Sequence, residues 1–283
     1  MNLIMKSRRQ FFKLAGTGIL AAGVSSVYGS ASSIPAVSSS KGSFSLGMAG
    51  YTFKGLSIER TIEIMNYIGV NYLSVKDFHM PLDSNQDQIN SVIGKFKAAG
   101  ITVYTVGVIY MKTEASVDQA FEYAKMAGVK MIVGAPEYNL LPFVEKKVKK
   151  YDIRLAIHNH GPDNPLYPNA TDIWNHIEDM DPRMGICIDI GHTVRDGQDP
   201  SLDAERYASR IFDVHTKDVD AATKDGKTVE TGRGIIDFTK FIAALRKTEY
   251  SGKCSLEFEK EMKDNLPGIA ESIGYFKGVM ACG

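Results

Sequence analysis

The sequence predicts a (β/α)₈ barrel, the TIM-barrel architecture, from two observations. Eight short apolar or β-branched segments alternate with eight segments of helical periodicity, and strands separated by amphipathic helices indicate βαβ units in a parallel sheet. A chain of 283 residues with 44% hydrophobic composition can also bury a core of that size in one domain. An open doubly wound sheet is the alternative, but the first strand-to-helix turn lacks the G-x-G-x-x-G sequence.

The strand segments are rich in valine, isoleucine and other apolar residues, and they lie at 45–51, 71–75, 101–107, 130–133, 153–157, 185–189, 211–215 and 253–257. The helical segments lie between and after them, at 57–68, 84–98, 115–126, 138–150, 171–179, 200–208, 237–247 and 264–279. Polar residues predicted to cap helix N-termini are Ser57, Ser116 and Thr171. Glycines predicted to end helices are Gly69, Gly100 and Gly128.

Residues 1–31 are predicted to be a twin-arginine signal peptide. The pair Arg8 and Arg9 precedes Phe-Phe-Lys and an apolar, glycine- and alanine-rich run at 14–24. This run is too short to span a bilayer, which needs about 20 residues. We therefore expect export to the periplasm without a stable membrane anchor, and recovery of the protein only from the cytoplasmic fraction would contradict this.

A Ser/Ala/Pro-rich linker at 32–43 and a barrel domain at 44–283 are expected to follow. Lysine plus arginine and aspartate plus glutamate both number 33, so there is no basic field to attract nucleic acid, and we expect no nucleic-acid partner. Cys187, Cys254 and Cys282 show no C-x-x-C spacing, and the first two lie within strand segments. They are interpreted as reduced cysteines, with Cys187 and Cys254 as packing residues.

A histidine or a carboxylate ends each of the last four strand segments, namely His158, Asp189, His215 and Glu257. The carboxyl ends of barrel strands meet at one face, and neighbouring strands are about 4.7–4.9 Å apart, so these side chains can converge on one ion. Two imidazoles and two carboxylates suit Mn, Zn, Co or Fe better than calcium. Glu259 has the same strand parity as Glu257 and is its rival; Glu257 is preferred because it directly follows the apolar run.

The segments L-A-I-H-N-H-G, I-D-I-G-H, F-D-V-H-T-K-D, E-T-G-R-G-I-I-D and S-G-K-C-S-L-E carry a family resemblance. The chain from about residue 44 onward resembles the xylose-isomerase-like TIM barrel superfamily of sugar phosphate isomerases and epimerases, which also includes inosose dehydratases, ketose 3-epimerases and endonuclease IV. The resemblance implies metal ligation by His158, Asp189, His215 and Glu257. It also implies that His192 contacts the substrate.

One position departs from the pattern of the ketose epimerases that the chain resembles. Those enzymes place a glutamate on strand 5, where it exchanges a proton with one face of the substrate carbon, and this chain has His158 there. A neutral imidazole bound to a metal is a poor base. The resemblance therefore favours proton chemistry on a carbohydrate but weakens the two-glutamate scheme.

The expected chemistry is proton abstraction next to the carbonyl of a keto sugar, through an enediolate. Predicted catalytic residues are Glu257 or His160, which would move the proton, and Lys217, which would steady the oxyanion. Predicted substrate-binding residues at the barrel mouth are His192, Lys76, His79 and Glu137, the last also as a substitute base.

Several functions remain open at this stage. An isomerase or epimerase is the first hypothesis, and a lyase or hydratase that cleaves 3-keto-glycosides by β-elimination is the leading alternative. A non-catalytic sugar-binding barrel is an alternative of another class. Endonuclease IV chemistry ranks low because it needs three zinc ions and early-strand ligands, of which only His79 is present. The expected partner is a small carbohydrate, and a homo-oligomer stays open.

Overall fold

A computed structural model describes residues 43–260 and 262–282. Eight parallel strands close into a barrel in which chain order is also spatial order, with the last strand paired to the first. The predicted (β/α)₈ barrel is thus confirmed. The predicted signal peptide, residues 1–31, and all but Ser43 of the predicted linker lie outside the described residues. Among the described residues, no helix is both long and apolar enough to cross a bilayer.

The barrel strands are β1 (Ser45–Ala49), β2 (Tyr72–Val75), β3 (Thr102–Met111), β4 (Met131–Pro136), β5 (Arg154–His158), β6 (Met184–Asp189), β7 (Ile211–Thr216) and β8 (Lys253–Leu256). The helices are α1 (Ile58–Ile68), α2 (Gln86–Ala98), α3 (Glu114–Met126), α4 (Leu141–Tyr151), α5 (Ala170–Ile177), α6 (Ile190–Arg195), α7 (Pro200–Arg206), α8 (Phe238–Lys247) and α9 (Leu266–Cys282). A short antiparallel ribbon pairs Asp218–Val219 with Thr228–Val229 on the strand-7 loop.

Some boundaries differ from the predictions. Strand β3 continues to Met111 instead of ending at 107, because its later residues pair with β4 as far as Pro136. The short helix α6 was not predicted, since Asp189 both ends β6 and caps the helix directly. Two predicted N-caps also move. Thr113 caps α3 with Ser116 three residues inside, and Asn169, two residues before Thr171, caps α5.

The barrel interior carries a buried polar cluster below the strand ends. The Tyr104 hydroxyl donates to Asp213 Oδ2 at 2.7 Å and lies 2.7 Å from Ser255 Oγ. Asp213 precedes His215 by two residues on β7, so both side chains point to the same side of the strand. The three cysteines are free, with Cys187 and Cys254 buried, which confirms their interpretation as reduced packing residues.

Helix α7 buries a carboxylate that lowers stability at neutral pH. Asp203 is 4% exposed, its Oδ2 has no hydrogen-bond partner, and burial raises its pKa to about 6. Because the folded pKa lies above the unfolded value, stability falls as pH rises from about 4 through 6 and is lowest above that range. Asp203→Asn should remove this fall and stabilise the protein at pH 7 by about 1–3 kcal/mol. Urea unfolding at pH 4.5 and pH 7 measures this, and a variant less stable than the parent at pH 7 would contradict it.

Candidate metal centre and active site

Four buried side chains meet at the carboxyl ends of strands β5 to β8. His158 Nε2 lies 3.0 Å from His215 Nδ1, 3.7 Å from Asp189 Oδ2 and 3.8 Å from Glu257 Oε2. His215 Nδ1 lies 3.5 Å from the same Glu257 oxygen. All four residues are at most 4% exposed. The structure therefore brings together the four predicted metal ligands, which we call the metal cluster.

The spacing of these atoms suits a divalent ion. A tetrahedral ion with bonds of about 2.0–2.1 Å has ligand atoms about 3.3–3.4 Å apart. The four pairs given above are 3.0–3.8 Å apart, and all four ligand atoms lie within 4.8 Å of one another. Asp189 Oδ2 is buried and accepts no hydrogen bond, although Lys217 Nζ lies 3.2 Å away, so it keeps a lone pair for a metal ion. Burial, then the neighbouring His215 and His160, hold the pKa of His158 well below its usual range. The imidazole therefore stays neutral and able to ligate.

The backbone around Asp189 fixes the direction of its carboxylate. Its Oδ1 accepts from the His192 amide at 2.8 Å, the N-cap bond of helix α6. Asn159 accepts from the Asp189 amide at 2.8 Å and donates to its carbonyl at 3.2 Å, which ties β5 to β6. With Oδ1 engaged by the helix, Oδ2 is the oxygen that points into the metal cluster.

A buried lysine links the metal cluster to the barrel mouth. Lys217 Nζ lies 3.2 Å from Asp189 Oδ2, 3.1 Å from Glu257 Oε2 and 2.5 Å from Glu259 Oε2, and its side chain is 1% exposed. Burial alone would lower the pKa of Lys217, but these carboxylates raise it well above its usual range. A Cβ on Gly191 would lie 2.9 Å from the lysine stem, so only glycine permits this approach.

The two glutamates that follow β8, Glu257 and Glu259, have different surroundings. Burial would raise the pKa of Glu257, yet Lys217 and His215 hold it well below its usual range, so Glu257 is a carboxylate. Glu259 also forms an ion pair with Lys217, but its side chain is 31% exposed and faces two cavities at the mouth. The rival candidates therefore both belong to the site, Glu257 in the metal cluster and Glu259 on its open side.

Two other predicted histidines lie beside the metal cluster. The ring centroid of His160 is 4.9 Å from that of His158, and its Nε2 is 2.8 Å from the Tyr110 hydroxyl. His192 Nε2 is 3.3 Å from Lys217 Nζ, and burial followed by Lys217 lowers the pKa of His192 to about 4. His192 is therefore a neutral imidazole at physiological pH.

Three predicted substrate-binding residues, Lys76, His79 and Glu137, make hydrogen bonds to backbone carbonyls around the mouth. Lys76 Nζ donates to the Val108 carbonyl at 2.8 Å and pairs with Asp77 at 3.2 Å. His79 Nε2 lies 2.8 Å from the Leu56 carbonyl, a contact that holds the loop after β2. Glu137 follows β4, where its amide donates to the Met111 carbonyl. Their roles toward a substrate stay predictions.

Asp218 organises the loop that follows β7. Its carboxylate accepts from the backbone amides of Val219, Gly232, Gly234 and Ile236 at 2.8–3.3 Å. A Cβ on Gly234 would overlap this carboxylate, and Gly232 has φ +92° with the Tyr275 ring against it, so both positions require glycine. The residue next to Lys217 is therefore structural, and it fixes one wall of the mouth.

Sequence reasoning missed Tyr110 and underrated Glu259. Tyr110 lies on the part of β3 beyond the predicted end, and the uninterrupted apolar run V-G-V-I-Y-M was the available signal. Burial first, then the charges of Glu257 and Glu259, raise the pKa of Tyr110. Tyr110 thus adds a hydroxyl group beside His160 at the mouth.

A family profile for the xylose isomerase-like TIM barrel matches residues 57–279. An inosose dehydratase of Bacillus cereus is 29% identical over 146 residues, which are 46% of this chain and 47% of that protein. The chain thus spans about half the length of the curated relatives it matches. Their whole-protein activity therefore does not transfer by likeness alone.

Two solved structures share the fold over most of the chain. An uncharacterised protein of Parabacteroides distasonis is 27% identical, covers 85% of this chain and 99% of its own, and has a TM-score of 0.66. The IolI protein, solved with a bound zinc atom, is 15% identical, covers 84% of this chain and 99% of its own, and has a TM-score of 0.71. Given the profile match across most of the barrel, this chain belongs to the xylose isomerase-like TIM barrel family.

Proposed function

We propose that this protein is a divalent-metal-dependent enzyme that removes a proton beside the carbonyl of a keto sugar and forms an enediolate. The observation that carries the proposal is the metal cluster with a buried ammonium beside it. Lys217 contacts two of the proposed ligands and also Glu259, which faces the open mouth. A substrate at the mouth would thus meet a cation, a carboxylate and a metal together.

His158, Asp189, His215 and Glu257 would hold the ion. When bound there, a divalent ion supplies Lewis-acid polarisation of the substrate carbonyl, which makes the adjacent C–H more acidic. Lys217 donates to the developing oxyanion, and its burial makes that interaction stronger than it would be in water. Neutral His192, beside Lys217, hydrogen-bonds a sugar hydroxyl.

Glu259 is the residue we assign to proton removal. Glu257 is committed to the ion and to Lys217, so its carboxylate oxygens already have partners. Glu259 is the more exposed carboxylate and still lies in the same hydrogen-bonded chain. A base must lie within about 2.6–3.2 Å of the proton's carrier atom, and a side chain on the open side can meet this requirement.

Elimination of a β-hydroxyl or β-alkoxyl group is the outcome we favour. The carboxylates of the site all come from β6 and β8, and β5 contributes His158 where ketose epimerases place a second glutamate. The likeness to an inosose dehydratase supports the same outcome. Such a reaction needs one base and a proton for the leaving group, not two bases on opposite faces.

Isomerisation or epimerisation is the second candidate, and the Tyr110–His160 pair supports it. Tyr110 lies on β3 and His160 follows β5, on the side of the mouth away from Glu259. Their hydrogen bond of 2.8 Å allows a proton to move between the hydroxyl and the imidazole. A proton returned from that side would give an epimer. The same pair could protonate a leaving group in the elimination.

Reaction in D₂O distinguishes the outcomes. Metal-loaded protein would be incubated with an inosose, a free ketohexose and a 3-keto-glucoside, and the products followed by NMR. Elimination predicts an unsaturated ketone with release of water or alcohol, whereas isomerisation predicts an epimer or isomer with deuterium on the exchanged carbon. A protein that binds a full equivalent of metal but turns over none of these substrates would contradict the proposal. The remaining hypothesis would then be a non-catalytic sugar-binding barrel.

A further inference from the structure

A cavity of about 370 Å³ opens at the barrel mouth beside the metal cluster. It lies between the segment after β1 and the segment after β8, and the residues used below are Tyr51, Lys54, Glu259, Lys260, Met262 and Asn265. Its volume falls within the range of about 300–1,000 Å³ usual for small-molecule sites. None of the residues assigned to metal binding lines it.

The cavity is continuous with the reacting centre through one side chain. Glu259 lines the cavity and receives a hydrogen bond from Lys217, which in turn donates to the metal ligand Glu257. A molecule that reacts against Glu259 therefore has this cavity as one of the two open spaces beside it. A single sugar ring at the metal cluster would leave that space to water.

The chemistry of the walls matches a neutral ring. Tyr51 and Met262 provide apolar surface, and Lys54 Nζ lies 5.2 Å from the Tyr51 ring centroid. The buried Oδ1 of Asn265 has no hydrogen-bond partner and can accept from a hydroxyl group. Aromatic surface with nearby polar atoms binds sugar and aryl rings well.

The charges of the walls do not favour an anionic group. Both Glu230 carboxylate oxygens accept from Lys260 Nζ, at 2.8 and 2.9 Å, which neutralises that lysine. Glu259 shares the single positive charge of Lys217 with Asp189 and Glu257, so its own negative charge is only partly offset. A phosphate placed here would meet one lysine, Lys54, together with a carboxylate at close range.

We infer that the substrate is a two-ring glycoside, whose second ring, a hexose or an aryl group, occupies the cavity against Tyr51 and Asn265. The inference rests on the proposed function for the placement of the first ring. It assigns Tyr51 and Asn265 to substrate selection. Neither residue takes part in the proton transfer.

Binding of unreactive glycosides tests the inference. Methyl β-D-glucoside, phenyl β-D-glucoside and cellobiose share a β-linked glucosyl unit, and the last two add a second ring. Titration calorimetry of the metal-loaded protein should show both two-ring ligands binding about tenfold more tightly than the methyl glucoside. Equal affinities for all three ligands would overturn the inference.

Two variants locate the effect. Tyr51→Ala and Asn265→Ala should each lower the two-ring preference by about threefold or more, with an unchanged melting temperature. Tyr67→Ala, at a tyrosine that is 74% exposed on α1, is the matched control and should keep the full preference. A preference that survives both cavity variants would place the second ring elsewhere and overturn the assignment.

These measurements separate the inference from the proposed function. The three glycosides carry no ketone, so their binding does not depend on proton abstraction or turnover. A protein with the two-ring preference but no keto-sugar turnover would keep the cavity assignment and refute the enzyme proposal. Turnover of keto monosaccharides without any two-ring preference would support the enzyme proposal and refute the cavity assignment.

Discussion

Asp189→Asn is expected to leave the barrel folded but to release the metal, lowering kcat/KM by about 100- to 1,000-fold. The asparagine can still cap α6, because its side-chain oxygen can accept from the His192 amide as Oδ1 does now. What it loses is the charge of Oδ2, the buried oxygen without a hydrogen bond in the metal cluster. Loss of an ion that stabilises transition-state charge costs several kcal/mol, which corresponds to this rate factor.

Metal analysis after gel filtration and steady-state kinetics measure the effect of this substitution. Asp203→Asn is the matched control, since it makes the same change at a buried carboxylate of α7 outside the metal cluster. It should retain a full equivalent of metal and parental activity. An Asp189→Asn protein that keeps the parental metal content would show that the ion is held elsewhere.

Lys217→Met is expected to have the second large effect, on both stability and rate. The ammonium is shared by Asp189, Glu257 and Glu259, and its removal leaves buried negative charge without its partner. Breaking a buried ion pair in this way costs about 3–5 kcal/mol. Because the same ammonium would donate to the enediolate oxygen, kcat should also fall by about 100-fold or more.

Chemical denaturation and kinetics on metal-loaded protein separate these effects. Lys240→Met serves as the control because Lys240 pairs with Asp199 at the surface, with 55% of its side chain exposed. Such exposed pairs contribute about 0–1 kcal/mol, so stability and rate should both stay near the parental values. If Lys217→Met loses stability but retains kcat, the lysine is structural and the proposed oxyanion role is wrong.

The four proposed metal ligands could be predicted from the sequence because strand order is the only information needed. His158, Asp189, His215 and Glu257 end consecutive parallel strands, and the carboxyl ends of such strands share one face of a closed barrel. The longer helices were predictable from their periodicity, which is a local signal, but the short helix α6 and the N-caps of α3 and α5 were not. Ser57, by contrast, caps α1 as predicted.

The loop residues of the site could not be predicted in the same way. The side chain of His79 is directed by the Leu56 carbonyl and that of Lys76 by the Val108 carbonyl, contacts between distant parts of the chain. Tyr110 enters the mouth only because β3 pairs with β4 beyond Gly107. Sequence patterns place a residue on a strand end, but they do not determine where a loop turns a side chain.

Asp218 holds the strand-7 loop through four backbone amides. The shape of the loop therefore depends little on which side chains it carries. The anchor binds main-chain N–H groups, which every residue except proline provides, so only the glycines of G-R-G are fixed by space. Arg233 and Ile235, which alternate with the anchored residues, point outward, and Ile235 is 51% exposed. The loop can thus keep its shape, and the metal ligands their positions, while the outward side chains at 233 and 235 are replaced.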